Sequence, residues 1–118
     1  FKNINDKIIS VGENSEVKIK RIRGEDSFLG IASKDGSKTY LKDVRFSNVK
    51  IPFASYIKKK AYLPGFIEAS DVNILENYLV KAIKDKNSEI IIEGKINKNI
   101  NPKILDIVIE KKVYLLNE

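Results

Sequence analysis

Histidine, cysteine, methionine and tryptophan are all absent from this chain of 118 residues. Without Cys or His there is no disulfide, no thiolate nucleophile, no Ser-His or Cys-His catalytic pair, and no thiolate or imidazole metal site. A cysteine-free chain is indifferent to redox, so both reducing and oxidising compartments stay open. Glycine is sparse, six residues with no Gly-Lys-Ser/Thr run, and the sequence therefore offers no phosphate-cradling loop. No apolar run approaches the roughly 18 residues of a membrane-spanning helix, and no stretch reads as a signal peptide. The lack of any Met, with Phe at position 1, points to an excised piece of a longer product. One domain spanning residues 1–118 is expected, since two separate cores of roughly 60 residues each would lie near the lower limit for burying enough apolar surface.

Charge, by contrast, is abundant. Lys and Arg number 22 against 16 Asp and Glu, a net charge of +6. A basic chain of this kind invites a polyanion or nucleic-acid partner. The lysines are dispersed, however, and the compact run Lys58-Lys59-Lys60, followed by Ala61-Tyr62, is read more simply as a solvated loop than as a phosphate contact. The five Phe and five Tyr lie mostly among aliphatic residues, which assigns them to a core and not to a stacking platform.

The chain repeats itself. Glu13-Asn14-Ser15-Glu16-Val17, Asp35-Gly36-Ser37-Lys38-Thr39 and Lys86-Asn87-Ser88-Glu89-Ile90 each place Asn or Gly before a Ser and then enter an apolar alternation, the pattern of a turn feeding a strand. A fourth turn, at Leu63-Pro64-Gly65, fills the gap between the second and the last. After each turn apolar residues recur two apart, then three, then two: Thr39, Leu41, Val44 and Phe46 in one unit, Ile67, Ala69, Val72 and Ile74 in the next. Two apart is strand periodicity, and the step of three predicts a bend at Lys20-Arg21, Lys42-Asp43, Ser70-Asp71 and Gly94-Lys95. A second register runs through Phe28-Leu29-Gly30-Ile31, Phe53-Ala54-Ser55-Tyr56, Leu79-Val80-Lys81-Ala82 and Ile104-Leu105-Asp106-Ile107. Units this short have no room for a crossover helix, so they must stack on themselves as a β-solenoid of four to five coils with three short strands per coil. A rival pattern, Ile74, Leu75, Tyr78, Leu79, Ala82 and Ile83 at helical spacing, would make residues 72–84 a helix and the fold α+β. The coil is preferred because Asn73, Asn77 and the β-branched residues oppose the helix.

On the turn-strand pattern of Asp35-Gly36-Ser37-Lys38-Thr39-Tyr40-Leu41-Lys42-Asp43-Val44-Arg45-Phe46-Ser47-Asn48 and its echo at residues 84–96, the chain from Lys7 to Leu115 resembles the right-handed parallel β-helix repeats of the pectate-lyase-like superfamily. The resemblance implies an all-β fold, a short right-handed single-stranded parallel β-helix. Its functions range from polysaccharide lyases and glycoside hydrolases through adhesins to surface modules without catalysis, and fold alone does not choose among them.

Stacking would align the second bend residues, Arg21, Asp43, Asp71 and Lys95, in a column that leaves Asp43 beside Asp71. Adjacent carboxylates could act as an acid/base pair or hold Ca2+. A surface charge ladder, each exposed pair contributing ~0.5 kcal/mol, is the plainer reading. The neighbouring column Arg23, Arg45, Asn73 and Asn97 would suit an anionic sugar, with Lys58, Lys59 and Lys60 as a further cationic patch. Asn48, Asn77 and Asn99 suggest an amide ladder, and the serines lack any base to activate them.

The expectation is therefore a non-catalytic module, the rigid spacer or binding face of a bacterial surface-associated or secreted protein, extracellular or at the cell surface. A fragment of a carbohydrate-active enzyme on anionic glycans is the alternative, and a polyanion or nucleic-acid binder is a second. The ends of such a stack need covers. Phe1 to Asp6 would cap one end, while Val113-Tyr114-Leu115-Leu116 would begin a fifth coil and allow an end-to-end homodimer.

Overall fold

The structure, a computed structural model, describes residues 7–109. Its elements in chain order are β1 (Lys7–Val11), β2 (Glu16–Ile19), β3 (Ile22–Lys34), β4 (Lys38–Tyr56), β5 (Phe66–Leu75), β6 (Ala82–Lys84), β7 (Glu89–Ile92), β8 (Lys95–Ile96) and α1 (Pro102–Ile109). The fold is predominantly β, one mixed sheet whose strands pair in parallel except at β7–β8. The expected cap at Phe1 to Asp6 and the expected strand at Val113 to Leu116 lie outside the described residues.

Three parallel ladders follow from the registers. The first joins β2, the start of β4, the start of β5 and β7 through Val17↔Thr39, Thr39↔Ile67 and Ile67↔Ile90. The second joins the start of β3, the middle of β4 and the end of β5 through Ile22↔Val44 and Val44↔Val72. The third joins β1, the end of β3, the end of β4 and β6 through Ile9↔Ile31, Ile31↔Phe53 and Phe53↔Ala82. Leu41 faces Ala69 and Val44 faces Val72, as the two-three-two spacing requires. Residues 72–84 contain no helix among the described elements.

The long strands change direction at single left-handed residues. Asp43 (φ 59°) and Asp71 (φ 54°) occupy the expected bends, and Asp26 (φ 52°) and Asn48 (φ 55°) mark a second corner, one strand after another in register. Asp and Asn tolerate this region better than most residues because their short side chains bond locally. One core takes residues from all three ladders: Leu41, Ile67 and Ile90 from the first, Ile22, Val44 and Phe46 from the second, Ile31, Phe53 and Ala82 from the third.

Two expectations fail at the C-terminal side. Gly94-Lys95 is not a bend in a fourth parallel unit, because Glu93 (φ 54°) and Gly94 (φ 77°) form a tight reversal and Lys95 pairs back on Ile92 in an antiparallel hairpin. Two consecutive left-handed residues are what a two-residue hairpin turn requires. Lys95 therefore leaves the column assigned to it. Ile104 to Ile107 is helical, not a strand: Pro102 opens α1, where it needs no amide hydrogen, and Asn101 Oδ1 caps it by accepting from Ile104 N at 3.1 Å. The helix has a physical reason. The third ladder is apolar on both faces, and Leu105 and Val108 cover its outer one, packing with Phe28, Leu29, Ile51, Ala54, Tyr56 and Ile83.

Candidate functional site

Alternation along the first ladder sends Thr39, Leu41, Ile67 and Ala69 inward and Lys38, Tyr40, Lys42, Phe66 and Glu68 outward. The register sets Lys18, Tyr40 and Glu68 in one outward row and Glu16, Lys38, Phe66 and Glu89 in the next. Tyr40 and Phe66 pack with ring centroids 5.6 Å apart and planes tilted by 53°, and the Lys18 ammonium lies 5.9 Å from the Tyr40 centroid. Both rings remain partly exposed. They form the floor of a groove of about 400 Å³, with Lys38, Asn87 and Glu89 as its polar groups and Leu63-Pro64-Gly65 as its wall.

That wall belongs to the longest connection between described strands, residues 57–65, which replaces the three-residue turn 35–37 of the preceding unit. It is pinned at both ends. Asp35, buried, accepts from Lys58 N (2.7 Å) and Lys59 N (2.9 Å) through Oδ1, while Asp85 Oδ2 accepts from Ile57 N at 2.6 Å. At the far end Gly65 N donates to Ser88 Oγ at 3.0 Å, and a Cβ at Gly65 would overlap the Ser33 carbonyl oxygen. Glu13 pairs with Lys59, raising the ammonium above its ordinary value chiefly through their hydrogen bond, and the same ammonium lies 5.9 Å from the Tyr62 centroid. Of the lysine run, Lys59 is thus committed to the loop's own structure, while Lys58 and Lys60 point to solvent.

The turn serines serve the backbone. Ser15 Oγ donates to Gly12 O (2.7 Å) and Ser37 Oγ to Val11 O (3.1 Å). Ser33 Oγ donates to Phe66 O at 2.9 Å and receives Thr39 Oγ1 at 2.9 Å, so a buried hydroxyl seam ties three successive units together at this corner. Asn48 bonds Asp26 Oδ1 (2.9 Å) and Asn99 bonds Ala82 O (3.2 Å), partners that do not make the expected amide ladder.

Around the first bend, Arg23 grips Asp43. Its Nη2 donates to both carboxylate oxygens at 3.0 and 3.1 Å, and its Nη1 to the Asp43 and Ile22 carbonyls at 2.8 and 2.9 Å. Arg21 and Arg45 add ion pairs at 3.5 and 4.0 Å. The Arg23 hydrogen bonds lower the Asp43 pKa, desolvation opposes them, and the charges of Arg23, Arg21 and Arg45 reinforce them. Asp71 occupies the equivalent bend of the next strand, exposed, with no ion pair or side-chain hydrogen bond among the described residues. The register does bring Arg23, Arg45 and Asn73 into one row, beside a groove of about 270 Å³. Asn97 stands apart from that row: its backbone N–H donates to Ile90 O at 2.8 Å and closes the β7–β8 hairpin. Among the described residues no three acidic side chains cluster as metal ligands, and both Asp43 oxygens already face guanidinium groups.

Sequence reasoning missed Tyr40 and Phe66, whose parity, out of step with Leu41 and Ile67, was the available signal. No family model matches the chain, and neither does any curated protein or solved structure.

Proposed function

We propose that the chain is a short right-handed parallel β-solenoid, a non-catalytic module of a surface-associated or secreted protein, and that its outer face holds a saccharide in the groove over Tyr40 and Phe66. Support for the stacked fold comes from three parallel ladders sharing one core and from left-handed corner residues that recur in register. Parallel strand connections in a common sheet are right-handed in nearly all proteins, which supports this hand.

The observation that carries the binding reading is the pair of partly exposed rings, fixed in place by the sheet beneath and walled by a pinned loop. An aromatic face offers apolar surface to the C–H side of a pyranose ring, while Lys38, Asn87 and Glu89 can bond its hydroxyls. Their sheet mounting lowers the ordering cost of binding. Asp43 suits an anchor and not a general acid, because its carboxylate is held ionised and doubly hydrogen-bonded.

A glycan array with the intact chain tests this. We expect retention on at least one class of oligosaccharide, and Tyr40→Ala or Phe66→Ala should weaken it about fivefold, the effect of losing one aromatic contact of roughly 1 kcal/mol. Retention on no glycan, or affinities unchanged in both variants, would refute the assignment.

A further inference from the structure

We propose that the saccharide held over Tyr40 and Phe66 is an anionic one, with its carboxylate or sulfate groups lodged among the ammonium groups of Lys18, Lys20 and Lys42. This rests on the saccharide reading above and names the class of sugar.

Tyr40 lines two grooves. On its Phe66 side lies the groove already described, and on the other a second one of about 250 Å³, lined by Lys18, Lys20 and Lys42 with Ile19 and Leu41. The register explains why the lysines meet. Lys18 lies opposite Tyr40, and the pairing of Ile19 with Leu41 sets Lys20 beside Lys42 on strands ~4.8 Å apart. All three lysines are exposed. Like charges directly opposite one another weaken a sheet, so the fold gains nothing from this placement. The following strand does not repeat it: Ser70 pairs with Lys42, and Glu68 with Tyr40.

The three charges are also left uncompensated. Among the described residues none of them enters an ion pair. Asp43, next to Lys42 in the chain, has both carboxylate oxygens bonded by Arg23. Glu16 stands one row away, opposite Lys38, and Glu68 lies on the far side of Tyr40, so neither lines the second groove. A recess walled by one sign of charge concentrates ions of the other, and ammonium groups donate charge-assisted hydrogen bonds to carboxylate or sulfate oxygens. From Lys38, opposite Phe66, to Lys42 is four residues of strand, ~13 Å. That is longer than a single pyranose, so the ligand is a chain whose sugar rings lie on the aromatic side and whose charges reach the lysines.

Calorimetric titration of the intact chain with one short dextran in neutral, carboxymethylated and sulfated forms tests this and tells the two sources of charge apart. At about 0.05 M salt, where the screening length is ~14 Å, at least one charged form should bind about tenfold more tightly than the neutral one, as expected for three exposed charge pairs. K20S/K42S gives both positions the residue that β5 carries at Ser70. It should bind that charged form about fivefold more weakly, with affinity for the neutral form and the circular dichroism spectrum unchanged. Charged forms bound no more tightly than the neutral one, or a preference that K20S/K42S leaves intact, would overturn the proposal. So would charged sugars whose binding, like that of inorganic polyphosphate, ignores Phe66→Ala, since charge alone would then account for it. Binding of none of the three would overturn it too, and the glycan array then decides the saccharide reading on its own.

Discussion

Gly30 offers a direct test of how closely the parallel strands approach. It lies on β3 between Leu29 and Ile31, which face Ile51 and Phe53 on β4. A Cβ at this position would overlap the Pro52 carbonyl oxygen and stand 2.7 Å from Cε2 of Phe46. Ordinary contact begins near 3.4 Å, so even the ring, the more yielding neighbour, must retreat about 0.7 Å into a core with no exposed side to receive it. The carbonyl belongs to a strand and can withdraw only by stretching the ladder. Overpacking costs about 1–3 kcal/mol, and losing one or two ladder hydrogen bonds adds roughly 1 kcal/mol each. Gly30→Ala should therefore cost about 2–5 kcal/mol, a large part of the roughly 5–15 kcal/mol that stabilises such a domain. Gly94→Ala is the control: nothing lies within 4 Å of its Cβ, and only its φ of +77° resists, at about 1–2 kcal/mol. Urea unfolding followed by circular dichroism gives both values from midpoints at a common slope. If Gly30→Ala proves no more harmful than Gly94→Ala, the close parallel approach of β3 and β4 is wrong.

Two titrations extend the tests. Burial, reinforced by the Asp35 charge, pushes the Tyr56 hydroxyl up to about 12 from an ordinary 10.0. The unfolded chain then releases this proton first, so stability should fall between about pH 10 and pH 12, by roughly 2–3 kcal/mol from this group. Tyr56→Phe should remove that part of the alkaline slope, and an identical slope in the variant would reject the assignment. Asp43 has the opposite sign: its folded pKa is lowered, so its contribution is present above the ordinary carboxyl value of about 3.9 and disappears as pH falls through the folded one. Urea midpoints across the acid range should fall less steeply in Asp43→Asn, and an unchanged acid limb would show that the arginine cluster is energetically idle.

Local pattern carried much of this architecture. The two-three-two apolar spacing was enough to place Leu41 against Ala69 and Val44 against Val72, because inward side chains of stacked strands must coincide. The pattern does not extend to Ile92 and Ile96, which lie four apart and not three, the spacing of a hairpin and not of a bend. Glu93-Gly94 held the distinguishing cue, a Gly in a two-residue turn. At Ile104 to Ile107 the register match suggests a strand where Asn101 caps a helix, and the two-sided burial of the third ladder explains why a helix belongs there. The groove was harder to see. Tyr40 and Phe66 look like core residues by type and declare themselves only by parity, while Asp35 and Asp85 read as ordinary turn residues until the fold brings residues 57–59 onto them.

Placement of α1 alters how the molecule should come apart. Solenoids ordinarily behave as one-dimensional arrays, each repeat stabilised only by its neighbours and free to fray from an end. In the proposed solenoid Leu105 and Val108 belong to one apolar cluster with residues of β3, β4 and β6, so the helix works as a brace across several repeats. Peeling one repeat away would strip the brace from the others, which favours all-or-none unfolding over gradual erosion.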